Sequence, residues 1–489
     1  MNFSEVHPNI VRAGEILEQQ KSTFLRDGAP GIKERKERLK ALRKSVLAYR
    51  ERLEEAINED FGNRSAYETG LLELTVIVQS IDYLISNLRR FMKPERRHVG
   101  FLYRFAKAHI EFQPKGVIGV MAPWNYPVSL TLVPLATALA SGNRAMLKPS
   151  ELTPRTSEVL QQMIAETFIE DDVAVVLGGP EVGAGFSALP FDHLFFTGST
   201  EVGKKVMAAA SANLVPVTLE LGGKSPLVID QGQVNAHNMD NIVFGKLSNA
   251  GQTCVAPDYA LVHEDDLERF IMEYSNSVSR FYPDGPTSSD YASIISERHF
   301  NRLNALLDDA RGRGARVIRV GENTDAANTR TRTIAPTLVV QAPDDSAVMQ
   351  EEIFGPVLPV VTYRSMDEVV NYINGRPRPL ALYYFGKPGS RSAKLLGHTT
   401  SGNVGINNTI MHVAQDDLPF GGIGASGMGS YHGIEGFRSM SHAKGVYQQG
   451  RWNMATLARA PFGMFADFAL ATTLGRRSGP AKQGAASKA

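Results

Sequence analysis

Three residues of the 489-residue chain combine a nucleophile, a base and a hydrogen-bond donor. Cys254 is the single cysteine, and the small or flexible residues at 249–253 before it would let a ligand approach the sulfur closely. Glu220 stands beside a Gly-Gly turn, and Asn125 follows a predicted buried strand. A thiol, a carboxylate and a side-chain amide are groups that covalent catalysis uses. Taken alone, however, a lone cysteine is more often a small buried hydrophobe.

A glycine-rich segment predicts an anion site. Gly198-Ser-Thr-Glu-Val-Gly203-Lys204-Lys205 nearly matches the P-loop pattern G-x-x-x-x-G-K-[ST]. A P-loop needs a hydroxyl after its lysine to hold magnesium, and Lys205 stands there, so we do not expect an NTPase. The segment still follows a predicted strand and precedes a predicted helix. The free N–H groups at that helix start suit a pyrophosphate, with Ser199 as a cap or a phosphate ligand.

Strand and helix signals alternate along most of the chain. One block runs from Val117 to Leu219 and a second from Leu227 to about Gly405, and they meet near Leu221–Lys224. The alternation predicts an α/β fold with a mostly parallel sheet and helices on both faces. Such sheets bind ligands at the carboxyl ends of their strands. Two helices are predicted before these blocks, at Leu39–Ile57 and Glu68–Arg90.

Charge and cysteine content exclude several classes of protein. The 52 Lys and Arg residues nearly balance the 51 Asp and Glu residues, for a net charge of +1, so bulk charge would not attract nucleic acid. One cysteine cannot form an intramolecular disulfide, and the N-terminus shows no secretory signal, so we expect a cytoplasmic protein.

One uncharged stretch, Gly116–Asn143, is long enough to raise the question of a membrane span. Pro123, Pro127 and Pro134 interrupt it, and a buried strand, loop and helix is the better interpretation. We therefore expect no integral membrane segment. The partly apolar stretch Gly463–Leu474 is interpreted as a surface tail, with a peripheral membrane contact as the alternative.

Motifs spread over most of the chain resemble the NAD(P)-dependent aldehyde dehydrogenase superfamily. They occur in family order: Pro123-Trp-Asn125, Lys148-Pro-Ser-Glu151, Phe196-Thr-Gly-Ser-Thr200, Glu220–Pro226, Gly251–Cys254, Glu351-Glu-Ile-Phe-Gly-Pro356 and Leu418–Gly429. Two segments, Gly251–Tyr259 and Gly427–Gly433, resemble the class 3 and fatty-aldehyde branch. Within that branch, Asn407–Asp417 is most similar to coniferyl aldehyde dehydrogenases.

The resemblance implies a role for each chemical group. Cys254 would be the nucleophile that attacks the aldehyde carbon, and Asn125, with the Cys254 backbone N–H, would stabilise the oxyanion. Glu220 would be the general base for the water that hydrolyses the thioester. Tyr126 is expected either to line the aldehyde tunnel or to pack in the core. His412 and His432 lack metal-ligand spacing, so no metal is expected.

The resemblance also implies an NAD site, with NADP as a second cofactor. Lys148 and Glu151 would bind the adenosine ribose, and Glu352 the ribose of the nicotinamide. Gly198 and Ser199 would lie near the pyrophosphate, and Phe354 near the nicotinamide. Glu151 should repel a 2′-phosphate, while Lys148 partly offsets that repulsion, so we expect NAD to be used.

The implied architecture is aldehyde dehydrogenase-like. A Rossmann-type parallel-sheet cofactor domain would comprise residues 1–100 and 114–222, followed by a second α/β catalytic domain at 223–420. Residues 101–113 and 436–450 would form oligomerisation strands of a homodimer, and residues 476–489 a disordered tail.

The sequence therefore predicts the oxidation of an aldehyde to its carboxylic acid through a cysteine thiohemiacetal and thioester. A small-molecule aromatic aldehyde such as coniferaldehyde is our first choice of substrate. The alternatives are a medium- or long-chain aliphatic aldehyde, transfer of the thioester to coenzyme A, and a noncatalytic dinucleotide-binding protein on the same fold. The Cys254, Glu220 and Asn125 set argues against the noncatalytic alternative.

Overall fold

The computed structural model describes residues 7–100, 103–321, 331–453 and 459–475. Its contacts divide the chain into two units, Met1–Phe91 with Gln113–His442, and Met92–Phe112 with Ala443–Ala489. The predicted tail at 476–489 lies outside the described residues. The domain boundaries expected from the sequence stay a prediction, because both blocks of alternating elements fall within the larger unit.

The strands in chain order are β1 Glu95–Arg97, β2 Lys107–Pro114, β3 Val117–Met121, β4 Arg144–Lys148, β5 Val173–Val175, β6 His193–Thr197, β7 Val217–Glu220, β8 Pro226–Ile229, β9 Tyr259–His263, β10 Arg316–Arg319, β11 Thr337–Val340, β12 Val357–Tyr363, β13 Ala381–Phe385, β14 Asn403–Ile406, β15 Gly427–Met428 and β16 Ser441–Gln448. The helices are α1 Pro8–Asp27, α2 Ile32–Ala48, α3 Arg50–Phe61, α4 Ala66–Thr69, α5 Thr75–Phe91, α6 Ser129–Ser141, α7 Pro154–Thr167, α8 Pro180–Ser187, α9 Thr200–Ser211, α10 Ala236–Leu247, α11 Leu267–Phe281, α12 Glu297–Gly312, α13 Ala347–Gln350, α14 Met366–Asn374, α15 Ser390–His398, α16 Gly433–Ser439 and α17 Met464–Leu474.

A six-stranded sheet has the order β15-β7-β6-β3-β4-β5, and every pair except β15 with β7 is parallel. Strands β3, β4 and β6 are buried at every position, as expected for apolar strands covered on both faces. The register pairs Met121 with Lys148 and Thr197 with Glu220. The carboxyl ends of these strands therefore meet at one edge of the sheet.

A seven-stranded sheet in the same unit has the order β10-β11-β12-β9-β8-β13-β14, with β10 antiparallel to β11. The chain passes from β7 to β8 through residues 221–225, where the sequence predicts a junction. Buried residues such as Tyr259, Leu303 and Val357 form the core around this sheet.

The N-terminal helices differ from the two that the sequence predicts. Helix α1 was not predicted, and it buries Ile16 and Leu17 against the core of the six-stranded sheet. The predicted helix Leu39–Ile57 is two helices, because Tyr49 (φ −96°, ψ 7°) interrupts it. The predicted helix Glu68–Arg90 contains a π-helical turn at Gly70–Leu74 between α4 and α5.

Among the described residues, one helical run, Ala66–Phe91, meets the length and apolarity that a membrane crossing needs. Its α5 segment packs against α2 and α6 and buries Ile77, Ile81, Leu84 and Leu88. A core helix has the same composition, so this run carries no argument for a membrane span.

The smaller unit contains a three-stranded sheet of order β1-β2-β16, in which β1 and β2 are antiparallel. Tyr103 and Tyr447 meet edge to face, with ring centroids 6.3 Å apart. Helix α17 in this unit has no buried residue.

Candidate active site

A cavity of about 1010 Å³ opens at the carboxyl ends of β3, β6 and β7. It brings together most of the site residues that the sequence predicts: Asn125, Gly198, Ser199, Glu220, Cys254, Glu352 and Phe354. A crevice at this edge of a parallel sheet is the usual ligand site of the architecture. Lys148, Glu151 and Tyr126 do not line this cavity.

Cys254 follows a backbone segment of unusual shape. Asn249, Ala250 and Gly251 have φ values of 52°, 51° and 76°, three consecutive residues in the left-handed region. A Cβ on Gly251 would lie 2.3 Å from the Gly355 carbonyl oxygen, so only glycine fits there. This turn sets the direction from which the cysteine enters the cavity.

The pKa of the Cys254 thiol lies above its ordinary value. Burial, followed by the charges of Glu352 and Glu220, raises the pKa of the thiol to about 12, against backbone N–H groups of Cys254 and Val255 that lower it. The sulfur becomes a strong nucleophile only when a base accepts its proton.

Glu220 ends β7 and is buried, with 3% of its surface exposed. Neither carboxylate oxygen has a hydrogen-bond partner within the described ranges. Burial raises the pKa of Glu220 well above its usual value. A carboxylate without donors to stabilise its charge is a strong proton acceptor, as a general base must be.

Asn125 is held in place through both its side chain and its backbone. Its Nδ2 donates to the Gln252 carbonyl at 3.1 Å. Its backbone carbonyl accepts from Arg64 Nη1 at 2.9 Å and from Asn249 Nδ2 at 2.8 Å. A carboxamide has two N–H donors, so a second hydrogen remains for an oxyanion.

Sequence reasoning missed the buried ion pair beneath Asn125. Arg64 and Glu73 are fully buried and lie 3.1 Å apart, and Glu73 Oε2 accepts from the backbone N–H groups of Val128 and Ser129 at 2.8 and 2.9 Å. A carboxylate at a helix start is favourable. The available sequence signal was a charged residue, Glu73, between the apolar residues Leu72 and Leu74.

Sequence reasoning also missed Gln252, which holds the turn before Cys254 in place through hydrogen bonds. Its Nε2 donates to the carbonyls of Asn249 and Ser293, each at 3.0 Å. Its Oε1 accepts from the Ile295 backbone N–H at 3.0 Å. All three contacts are buried, so the residues before Cys254 are tied to the segment at 293–295.

Glu352 packs against the Gly222–Gly223 turn. The Gly223 N–H donates to its carboxylate, while burial and the nearby Asp258 charge raise the pKa of Glu352 to about 8. A Cβ on Gly222 would lie 2.1 Å from Glu352 Oε2, so the Glu352 carboxylate could not come this close to a residue 222 that carried a side chain. Next to it, Phe354 has φ 52°, and its ring meets Trp124 edge to face at 5.3 Å.

Asp258 joins three segments around this wall. Its Oδ1 accepts from the Ile353 backbone N–H at 2.9 Å, and its Oδ2 pairs with Lys224. Lys224 also donates to the Glu351 carbonyl at 2.8 Å. One carboxylate therefore joins the segment that carries Cys254, the glycine turn and the segment that carries Glu352.

The remaining predicted residues lie nearby. Lys148, at the end of β4, pairs with Glu151 at 3.4 Å. Tyr126 is buried, and its hydroxyl lies 2.8 Å from Thr253 Oγ1, beneath the cysteine turn. Among the described residues, no group of three or more His, Cys, Asp or Glu side chains could hold a metal ion.

Comparison with known proteins identifies the architecture. A model of the aldehyde dehydrogenase family matches residues 15–446. The chain belongs to the aldehyde dehydrogenase family. Its enzyme class and α/β fold, predicted from the sequence, are thereby confirmed.

Relatives of this aldehyde dehydrogenase cover nearly its full length. A probable coniferyl aldehyde dehydrogenase of Caulobacter vibrioides is 46% identical over 466 residues, 94% of this chain and 96% of the relative. A coniferyl aldehyde dehydrogenase of a Pseudomonas species is 46% identical over 452 residues, 92% of this chain and 94% of the relative.

Solved structures agree. A substrate-bound state of Staphylococcus aureus AldH superposes with a TM-score of 0.84 at 39% identity, over 90% of this chain and 95% of that one. A Mycobacterium tuberculosis aldehyde dehydrogenase complexed with NAD+ gives a TM-score of 0.78 at 26% identity, over 89% of each chain.

Proposed function

We propose that this enzyme oxidises an aromatic aldehyde, with coniferaldehyde as the first choice, to the carboxylic acid with NAD as hydride acceptor. The observation that carries the proposal is the meeting of Cys254, Glu220 and Asn125 in one cavity. The choice of aldehyde is supported by relatives named coniferyl aldehyde dehydrogenase at 46% identity.

The residues around the cavity fit a dinucleotide. Gly198 and Ser199 stand at the start of the 12-residue helix α9, where free N–H groups suit a pyrophosphate. Glu352 would bind the nicotinamide ribose and Phe354 would flank the nicotinamide, while Lys148 and Glu151 would hold the adenosine ribose. Bound NAD supplies the acceptor for the hydride that leaves the substrate carbon.

Cys254 carries the first covalent step. As the sulfur bonds to the aldehyde carbon, the thiol proton passes to water and leaves to solvent. The carbonyl oxygen becomes an oxyanion, which the free hydrogen of Asn125 Nδ2 and the Cys254 backbone N–H stabilise. One such donor lowers the free-energy barrier by on the order of 3–4 kcal/mol.

Glu220 completes turnover. Loss of hydride leaves a thioester on Cys254, and Glu220 accepts a proton from water as the water oxygen attacks the thioester carbon. The carbon–sulfur bond then breaks, the carboxylic acid leaves, and the sulfur takes the proton from Glu220, which restores the Cys254 thiol and the Glu220 carboxylate. This role argues for water, and against coenzyme A, as the acyl acceptor.

Steady-state kcat/KM for coniferaldehyde, benzaldehyde, hexanal and decanal, each with NAD and with NADP, tests the proposal. We expect the highest value for coniferaldehyde with NAD. A clear preference for hexanal or decanal would overturn the aromatic assignment, and a requirement for coenzyme A would overturn hydrolysis.

Variants of the catalytic residues test the mechanism. Cys254→Ser should lose most turnover while NAD binding is retained, and Glu220→Gln should chiefly slow thioester hydrolysis. NADH production that persists unchanged in Cys254→Ala would contradict the assignment of the nucleophile.

A cytoplasmic homodimer is also part of the proposal. The strand β16 pairs on one side only within the described sheet of the smaller unit, and such an edge can pair with a second chain. Sedimentation equilibrium should give the mass of two chains. A monomer at micromolar concentration would contradict the dimer.

A further inference from the structure

His412 and His432 contain buried ring nitrogens that the proposed mechanism does not use. Both nitrogens of His412, and Nδ1 of His432, are closed to solvent and have no hydrogen-bond partner among the described residues. Burial lowers the pKa of each histidine to about 4, so both are neutral near pH 7. A neutral imidazole has one N–H donor and one acceptor nitrogen, and leaving them unpaired is costly.

A single hydroxyl connects the His412 segment to the cysteine segment. Tyr383 donates to the backbone carbonyl of Val255, the residue after Cys254, at 2.7 Å. The Ile410 backbone N–H donates to the same hydroxyl at 3.3 Å. The ring of Tyr383 meets the His412 ring at 5.7 Å, in a T-shaped arrangement. His412 is therefore separated from the residue beside the nucleophile by one side chain.

The backbone before His412 is strained. Ile410 has φ 49°, in the left-handed region that a β-branched residue rarely adopts, and Asn407 has φ 57°. Strain of this kind persists where the surroundings impose it, and it is concentrated at ligand-binding segments. It is independent of the unpaired nitrogens and occurs in the same short loop.

The surroundings of the two imidazoles are aromatic. The Phe420 ring lies 6.1 Å from His412 and 5.3 Å from His432. Tyr431 lies 5.8 Å from Phe420, and burial followed by the charges of Glu220 and Cys254 raises its pKa. These rings form an aromatic cluster near the nucleophile, outside the residues that line the cavity, and the imidazoles in it keep unused hydrogen-bonding capacity.

We propose that His412, backed by Phe420 and His432, recognises the ring hydroxyl of a phenolic aldehyde whose carbonyl group is at Cys254. The inference rests on the proposed function and specifies its substrate class. A phenol hydroxyl donates one hydrogen bond and accepts another, which matches a neutral imidazole. The chain of an aliphatic aldehyde offers neither. His412, Phe420 and His432 do not line the cavity at Cys254, and the imidazole nitrogens are closed to solvent, so the proposal requires this cluster to open as the substrate enters.

The test compares 4-hydroxycinnamaldehyde with cinnamaldehyde, which differs only in the ring hydroxyl. We expect wild type to prefer the hydroxylated aldehyde by about tenfold or more in kcat/KM, because a site that binds a hydroxyl discriminates against its loss. His412→Phe keeps an aromatic ring and should bring the ratio close to one, with cinnamaldehyde itself changed less than roughly threefold. His412→Asn should retain part of the preference.

The matched control is His398→Phe, an exposed histidine at the end of α15 that should leave the ratio unchanged. A wild-type ratio near one, or a ratio that persists in His412→Phe, overturns the inference. If neither cinnamaldehyde is oxidised, the proposed function itself has failed. If His412→Phe does not fold, the dissociation constants of both aldehydes are measured for Cys254→Ala and for Cys254→Ala combined with His412→Asn. A preference for the hydroxylated aldehyde that His412→Asn does not reduce contradicts the proposal.

Discussion

The guanidinium of Arg64 donates a hydrogen bond of 2.9 Å to the backbone carbonyl of Asn125, the proposed oxyanion donor. The same Nη1 lies 3.1 Å from Glu73 Oε1, and the guanidinium carbon lies 4.7 Å from the centre of the Tyr126 ring. One buried cation therefore holds the residue that must stabilise the reacting oxygen. It acts on the reaction through Asn125, as a positioning residue.

Replacing Arg64 should cost far more stability than replacing an exposed arginine. Arg64→Met leaves Glu73 buried without its cation, and we expect the free energy of unfolding to fall by about 3–5 kcal/mol. Arg316→Met, which removes an exposed pair with Glu268, is the control and should change little. Urea unfolding of both variants measures the difference, and equal losses would contradict the role of the buried pair.

A charge-keeping variant separates positioning from folding. Arg64→Lys should fold, yet lower kcat by more than it changes KM, because a single ammonium cannot reproduce the planar fork of the guanidinium. A kcat like that of wild type in the folded Arg64→Lys protein would show that Asn125 is held without this contact.

Glu352 should make folding less favourable as pH rises. Its folded pKa is about 8 against an ordinary value of 4.5, with burial the main cause. The contribution of Glu352 to the free energy of unfolding is fully present below about pH 4.5 and is lost as the pH rises towards 8. Glu352→Gln should therefore gain stability relative to wild type between these values and keep that gain above them. Unfolding midpoints from pH 4.5 to 9 test this, with the exposed Glu351→Gln as control.

The reactivity of Cys254 should rise steeply with pH in the enzyme without ligands. Because its pKa is about 12, iodoacetamide alkylation should accelerate about tenfold for each pH unit between 7 and 10. Glu352→Gln removes a charge that raises this pKa, so the variant should react faster than wild type at pH 9. A rate that levels off near neutral pH would show that the thiol is already ionised.

Gly251 should tolerate no side chain. In Gly251→Ala the new Cβ would lie 2.3 Å from the Gly355 carbonyl oxygen, so the turn before Cys254 must shift and activity should be lost. Gly314 also has positive φ but nothing within 4 Å of an added Cβ. Gly314→Ala should cost only about 1–2 kcal/mol of stability and leave kcat unchanged. Assays per folded molecule distinguish the two, and similar activities would refute the packing argument.

Much of the fold follows from local patterns. The strand Val117–Met121 ends shortly before Asn125 and the strand Val217–Glu220 ends at Glu220, and parallel strands align such ends. The left-handed conformation of Ala250 could not be foreseen, because alanine rarely adopts positive φ, and Asn249 gives no signal of it by itself although asparagine adopts positive φ more often. Both conformations are imposed by tertiary contacts, including the Gln252 hydrogen bonds.

The buried charges of the site were the least predictable feature. From sequence, Arg64 belongs to a polar stretch that indicates a solvated surface, and its partner Glu73 lies within a π-helical turn that no simple helical spacing describes. The roles of His412 were equally hidden, since its spacing excludes a metal motif but says nothing about where its nitrogens point.

Asp258 links the segment that carries Cys254 to the segment that carries Glu352. Because one carboxylate receives both the Ile353 amide and Lys224, we expect a displacement of the Glu352 segment by the proposed ribose to reach Asp258, four residues from Cys254. We therefore expect substitutions in the Glu352 segment that change cofactor affinity to change turnover as well.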